Sequence, residues 1–153
     1  MTNTSEVQSG TIYVQDCTPD KVSNLYQLDL ETGKAELVGA ITNDVYDIAF
    51  VDSQLYGLDQ EENSDNTRLV KIDSTTGEVT VVGDIGFYVV GLAYNRQRNI
   101  LYASAAKQLI EIDLETGRGK SAIEVSRNKR VCGEIAFDQN RSRWYEPSAT
   151  KCC

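Results

Sequence analysis

An internal repeat constrains the fold of this chain more than any other feature of its sequence. One phrase occurs at 25–39 as LYQLDLETGKAELVG, at 69–83 as LVKIDSTTGEVTVVG, and from 109 as LIEIDLETGRG. The copies begin 44 and then 40 residues apart. A second block recurs out of phase with the first, as DIAF at 47–50, GLAY at 91–94 and EIAF at 134–137. Self-similarity at this period indicates a repeat architecture.

Each repeat unit is predicted to form four short strands. In the second unit these are YDIAF, QLYGLD, TRLVKID and EVTVVGDI. In the third of them Val70 and Ile72 share one face, while Leu69 lies on the other, as Leu25 and Leu109 do in the other copies. Because successive side chains of a strand point to opposite faces, this strand is predicted to be partly buried on both sides.

The D-x-x-T-G segments are predicted to be the turns between the third and fourth strands. The Asp carboxylate accepts hydrogen bonds from backbone amides just downstream, and the Gly supplies a positive φ. These pairs are Asp29 with Gly33, Asp73 with Gly77, and Asp113 with Gly117. We interpret the aspartates as structural rather than catalytic.

Four antiparallel strands repeated every 40 to 44 residues are typical of β-propeller blades. The phrase LYxLDxxTGxxxxVG is similar to repeats of pyrroloquinoline-quinone-type and YVTN-type propellers and of uncharacterised bacterial propeller domains, from about Thr11 to Tyr145. Quinoprotein repeats carry a tryptophan after the turn glycine. The single tryptophan here, Trp144, lies elsewhere, so quinone binding is not carried over. We predict an all-β chain with a disordered N-terminus at 1–10, a propeller-like repeat domain at 11–145 and an irregular tail at 146–153.

The strand count predicts an incomplete ring. The first unit, TIYV, NLYQLD and AELVGAI, lacks the strand equivalent to DIAF, and the last supplies only EIAF and RWYEPSA. This gives about 13 strands, a little over three blades, whereas closed propellers have at least four. Unpaired strand edges invite association, so we expect self-association or a protein partner. Three explanations stay open: a piece of a longer propeller, a half-propeller that completes a ring with a second copy, or a small three-blade arrangement in which EIAF pairs beside the N-terminal unit.

Charge and cysteine content exclude several classes of partner. The net charge of −8 disfavours nucleic acid, which needs clustered Lys and Arg. The one basic cluster, at 118–130, is interpreted as a solvated loop. The cysteines, at 17, 132, 152 and 153, make no CxxC pair and are expected to be free thiols. No apolar run approaches the roughly 20 residues of a membrane helix, and no signal peptide is apparent, so a cytoplasmic protein without membrane contact is expected.

The sequence offers little catalytic chemistry. It has no histidine, which removes imidazole bases and ligands. Asp47, Gly91 and Glu134 precede the I/L-A-F/Y triplets, and the two acids are candidates for holding a cation if the triplets are innermost strands. The oxygen-rich loop 59–66 lacks the Gly and Glu of a calcium loop and is interpreted as solvated. The tyrosines at 26, 56, 88, 94 and 102 are interpreted as packing residues.

No catalytic, cofactor-binding or metal-binding residue is therefore assigned, and no cofactor is expected. We favour a non-catalytic β-propeller-like binding or scaffold module of unknown ligand, or a fragment of one. The alternative is a fragment of a larger propeller hydrolase, lyase or dehydrogenase whose active-site residues lie outside this chain.

Overall fold

The computed structural model describes residues 10–16, 22–41, 44–60, 66–125 and 133–138, and the backbone of 143–145. The predicted N-terminal segment before Gly10 and the tail at 146–153 lie outside these ranges, as do all four cysteines and most of the basic cluster. No helix able to cross a membrane occurs in the part of the chain that is described.

The described residues form thirteen β-strands, each antiparallel to its neighbours in a sheet. The strands are β1 Ile12–Gln15, β2 Ser23–Leu28, β3 Ala35–Ile41, β4 Val45–Val51, β5 Gln54–Gln60, β6 Thr67–Ile72, β7 Val79–Asp84, β8 Gly91–Asn95, β9 Ile100–Ala105, β10 Gln108–Ile112, β11 Gly119–Glu124, β12 Ala136–Asp138 and β13 Arg143–Tyr145.

The strands form four sheets, each made of strands consecutive in the sequence. Their orders are β1-β2-β3, β4-β5-β6-β7, β8-β9-β10-β11 and β12-β13. β4 lies beside β8, and β8 beside β12, so the second, third and fourth sheets stand next to one another through what we call their first strands, β4, β8 and β12. The described sheets do not close into a ring. The predicted all-β fold of four-stranded antiparallel blades in an incomplete ring is confirmed.

The two terminal sheets show how the incomplete units are arranged. The first sheet consists of β1, β2 and β3, without a counterpart of β4 among the described residues, as the sequence predicted. The idea that EIAF completes this sheet is wrong. Its residues Ala136 and Phe137 belong to β12, which pairs with β13 and packs beside β8 instead.

The three D-x-x-T-G turns have nearly the same geometry, and their predicted chemistry is confirmed. In the second copy, Asp73 Oδ1 accepts hydrogen bonds from the amides of Thr75 and Thr76 at 2.7 and 3.2 Å. The amide of Gly77 donates to the Asp73 carbonyl at 2.8 Å, and Gly77 has a φ of 78°. The same bonds hold Asp29 and Asp113, whose glycines have φ values of 69° and 76°. Backbone amides lower the pKa of Asp29, and the Thr75 side chain and backbone lower that of Asp73.

Two hydrophobic cores fill the spaces between neighbouring sheets. One lies between the first and second sheets and consists of Leu25, Ile41, Val45, Leu55, Val70 and Ile72. The other lies between the second and third sheets and consists of Val51, Tyr56, Leu58, Leu69, Ile85, Val89, Leu92, Leu101, Ala103, Ile110 and Ile112. Leu69 and Val70, on opposite faces of β6, are both fully buried, which confirms the two-sided burial predicted for this strand.

Neighbouring sheets also interlock through glycines, at a contact that we call the glycine junction. A Cβ on Gly39 of β3 would overlap the carbonyl oxygen of Thr76 and lie 2.7 Å from its carbonyl carbon. A Cβ on Gly83 of β7 would likewise overlap the Thr116 oxygen. The outermost strands of the first and second sheets, β3 and β7, thus each receive the Thr-Gly turn of the next sheet directly against a glycine backbone. Only glycine permits this approach.

Candidate functional site

The three residues that precede the I/L-A-F/Y triplets lie close together in the structure. Asp47 lies in β4, Gly91 begins β8, and Glu134 comes just before β12. A Cβ on Gly91 would lie 2.8 Å from Glu134 Cα and 2.9 Å from the carbonyl oxygen of Gly133. Glycine at position 91 is therefore required by the close passage of the chain at 133–134.

The Asp47 carboxylate ties the second sheet to the third. The Leu92 amide donates to Asp47 Oδ2 at 2.6 Å, and the Ile48 amide donates to Oδ1 at 2.9 Å. Burial raises the pKa of Asp47 to about 6, opposed by these two bonds and assisted by the charge of Glu134. Both oxygens thus already hold backbone donors. Cation binding by Asp47 and Glu134 stays a prediction. No cluster of three or more metal-ligating side chains occurs in the described ranges.

An open groove runs along the first strands, on the side of the third residue of each I/L-A-F/Y triplet. We call it the first-strand groove; it has a volume of about 460 Å³. It is lined by Ala49, Phe50, Asp52, Leu92, Ala93, Tyr94, Arg96, Ile135 and Phe137. Sequence reasoning missed this groove, although the signal was present in the I/L-A-F/Y triplets.

The lining residues occupy equivalent positions in successive repeats. The third triplet residue supplies the aromatic wall, as Phe50, Tyr94 and Phe137. The Phe50 ring also lies against Tyr13 of the first sheet, with ring centroids 5.5 Å apart and an interplanar angle of 56°. Phe50 is 37% exposed, so part of its ring faces the solvent.

Polar groups at the rim of the groove are held by hydrogen bonds. The Tyr94 hydroxyl donates to Asn99 Oδ1 at 2.7 Å and lies 3.5 Å from Asp52 Oδ1. Burial raises the pKa of Tyr94, and the Asp52 charge adds to this rise. Arg96 follows β8 at the position equivalent to Asp52, so the rim carries charges of both signs.

The remaining sequence candidates differ in their burial. Tyr56 and Tyr102 are buried, which confirms their packing role, whereas Tyr88 is 56% exposed. Of the loop at 59–66, residues 61–65 lie outside the described ranges. Its first residue, Asp59, is buried and accepts a bond from Arg68 Nε at 2.9 Å. In the third turn, the Lys120 ammonium lies 2.9 Å from Asp113 Oδ2. This contact contributes most to the lowering of the Asp113 pKa to about 2.

Comparisons with known proteins support the repeat and leave the ligand open. The family described as "Repeat of unknown function (DUF6923)" matches residues 1–95. No curated protein matches the chain. Among solved structures, the chain is similar to "Crystal structure of WD40 beta propeller domain of Doa1", at 18% identity and a TM-score of 0.42. The likeness covers 63% of this chain and 32% of that one, so the chain spans about a third of that structure's length.

Proposed function

We propose, from the premise that the chain belongs to the DUF6923 repeat family, that it is a non-catalytic binding module whose first-strand groove takes an extended protein segment. One observation carries the proposal. Three aromatic side chains from equivalent repeat positions, Phe50, Tyr94 and Phe137, meet on one open groove with both signs of charge at its rim.

The composition of the groove suits a peptide rather than a small polar metabolite. Ligand sites are mostly apolar concavities with a few placed polar groups. Aromatic residues and arginine are enriched at protein interfaces, and aromatic rings bury large areas at low entropic cost. The alanines Ala49 and Ala93 leave room between the aromatic walls. The expected ligand feature is therefore one apolar side chain flanked by charged residues.

The hydrogen bonds of Asp47 and Asp52 favour binding over catalysis. Asp47 holds two backbone amides and joins two sheets. Asp52 lies at the Tyr94 hydroxyl. The sequence has no histidine, the side chain used most often for general acid–base catalysis, and these two carboxylates already serve the fold. The kinship with pyrroloquinoline-quinone-type and YVTN-type propellers, and the enzyme-fragment alternative, stay predictions.

A nuclear magnetic resonance titration tests the groove directly. Backbone amide shifts of the ¹⁵N-labelled chain are followed with two capped dipeptides, acetyl-Glu-Phe-amide and acetyl-Lys-Phe-amide. We expect shifts confined to 49–52, 92–96 and 135–137 with both peptides. Shifts spread over other surfaces, or no saturable shifts, would contradict the proposal.

Charge reversal at the rim supplies the control. Arg96→Glu should weaken binding of the Glu peptide by about fivefold, since an exposed ion pair contributes up to about 1 kcal/mol. The Lys peptide should not weaken. Arg98→Glu makes the same change two residues away, at an exposed side chain that does not line the groove. If the two variants weaken binding of the Glu peptide equally, the effect comes from the net charge of the chain and not from Arg96 in the groove.

A further inference from the structure

Among the described residues the glycine junction occurs twice, and the turn of the first sheet and the outermost strand of the third sheet are left without a matching partner. The turn of the first sheet, Asp29 to Gly33, has the same hydrogen bonds as the two docked turns. No described residue lies within 4 Å of a Cβ built on Gly33. By contrast, a Cβ on Gly77 or Gly117 would lie within 3.0 or 2.7 Å of the neighbouring sheet's backbone. The first turn therefore presents the docking shape without a described strand against it.

At the other end, the outermost strand of the third sheet carries isoleucine where the others carry glycine. Gly39 and Gly83 each pair with the first leucine of the adjacent repeat strand, and Ile123 pairs with Leu109 in the same register. Ile123 is 45% exposed. Its side chain occupies the place where a Thr-Gly turn would dock.

The shape of this strand differs as well. In β3 and β7 a one-residue bulge at Val38 and Val82 comes directly before the glycine. In β11 the register shift lies nearer the strand's beginning, at Lys120. Because a bulge bends a strand and increases its local twist, the edge of β11 does not offer the surface that β3 and β7 offer.

We propose that the Asp29–Gly33 turn is a docking surface for the outermost strand of a further propeller blade that carries glycine at the position of Gly39 and Gly83, and that Ile123 prevents the third sheet of a second copy from filling this role. The occupant is defined by the two junctions among the described residues: an outer strand with a one-residue bulge at a valine directly followed by glycine, as in β3 and β7. The proposed contact is of the same kind as the two glycine junctions already present between the described sheets.

Steric overlap at Ile123 is expected to oppose self-association through this junction. At both internal junctions a single Cβ would overlap a threonine carbonyl oxygen. Ile123 has that Cβ and three further carbons. A second copy cannot bring its Thr32-Gly33 turn to this strand without displacing the backbone, and packed backbones resist such shifts.

The first experiment introduces into β11 the glycine and the preceding valines that β7 carries at its junction. The grafted variant carries Ser121→Val, Ala122→Val and Ile123→Gly, which writes the Val-Val-Gly of β7 into β11. Sedimentation equilibrium should show self-association about tenfold tighter or more than in the wild-type chain, since removing an overlap of this kind is worth at least one decade in affinity. Unchanged self-association of the folded graft would overturn the proposal.

Two matched variants distinguish association through the glycine junction from nonspecific hydrophobic association. The same graft with Ile123→Ala keeps the Cβ and should associate no more than the wild-type chain. Adding Gly33→Asn to the graft should abolish the gain, because asparagine tolerates a left-handed backbone but places a Cβ against the docking strand. If the alanine graft associates as tightly as the glycine graft, hydrophobicity explains the gain and the proposal fails.

A mixing experiment examines the wild-type turn itself. The graft with Gly33→Asn offers only the strand, and the wild-type chain offers only the turn, so an equimolar mixture should form a one-to-one complex. Should the graft fail to fold by circular dichroism, Gly83→Ala in the wild-type chain is the second measurement. It should loosen the junction between the second and third sheets, and an unchanged melting temperature would overturn the steric basis.

Discussion

The pH dependence of stability at Asp47 is the sharpest test of how this fold joins its sheets. The carboxylate lies between β4 and β8, and burial raises its pKa from 3.8 to about 6. In the folded state it therefore holds its proton more tightly than in the unfolded chain. Its favourable contribution is complete below about pH 3.8 and is lost as the pH rises through about 6.

The size of this effect follows from the shift. A rise of about two pKa units corresponds to about 3 kcal/mol, and partial exposure of the side chain reduces this to about 2 kcal/mol. The assay is urea unfolding followed by far-ultraviolet circular dichroism, for wild type and Asp47→Asn, from pH 3.5 to pH 7.5. The free energy of unfolding of the wild-type chain, minus that of the variant, should fall by about 2 kcal/mol over this range.

In the difference between the unfolding free energies of wild type and variant, the contributions of the other carboxylates cancel. Asp29, Asp73 and Asp113 have lowered pKa values, so they act in the opposite direction and in both proteins alike. Asp44→Asn, which removes one charge at an exposed aspartate just before β4, is the control. A difference that is flat or rises with pH would refute the reasoning. It would mean that the amides of Ile48 and Leu92 outweigh burial and keep Asp47 ionised.

Two further predictions concern the turns and the sheet edge. Asp73→Ala should lower the melting temperature, whereas Asp73→Asn should lower it much less, because asparagine retains an oxygen acceptor for the Thr75 and Thr76 amides. Thermal melts followed by circular dichroism make the comparison, and equal decreases in the two variants would contradict the turn role. Ile12→Lys combined with Val14→Lys places two charges on β1, the described edge of the first sheet. It should reduce self-association if that strand is a seam, and light scattering that finds an unchanged oligomer mass would argue against it.

Local chemistry explains what the sequence could predict. The turns need only Asp, Thr and Gly at fixed offsets, so the roles of Asp73 and Gly77 follow from the sequence alone. The strands follow from the alternation of apolar residues such as Val70 and Ile72 with polar ones. Both signals lie within a few residues of the structure that they determine.

The sites that escaped prediction depend on contacts between sheets. Gly39 is required because of Thr76, which belongs to another repeat. Asp47 was a candidate from the sequence, but only the structure shows that its carboxylate accepts a hydrogen bond from an amide of β8. The groove likewise forms only when Phe50 and Tyr94 are brought together from separate strands. A repeat pattern shows that such positions are equivalent, but not which surfaces they bring into contact.

The glycine junction also has a consequence for how the molecule comes apart. Each sheet is stabilised by its own hairpins and by its neighbour's turn, as in an array of units with nearest-neighbour coupling. The sheet β4–β7 takes part in two such junctions, whereas the first and third sheets each take part in one. Opening should therefore begin at the outer sheets and reach β6 last, so its backbone amides would exchange their hydrogens with solvent more slowly than those of β2 or β10.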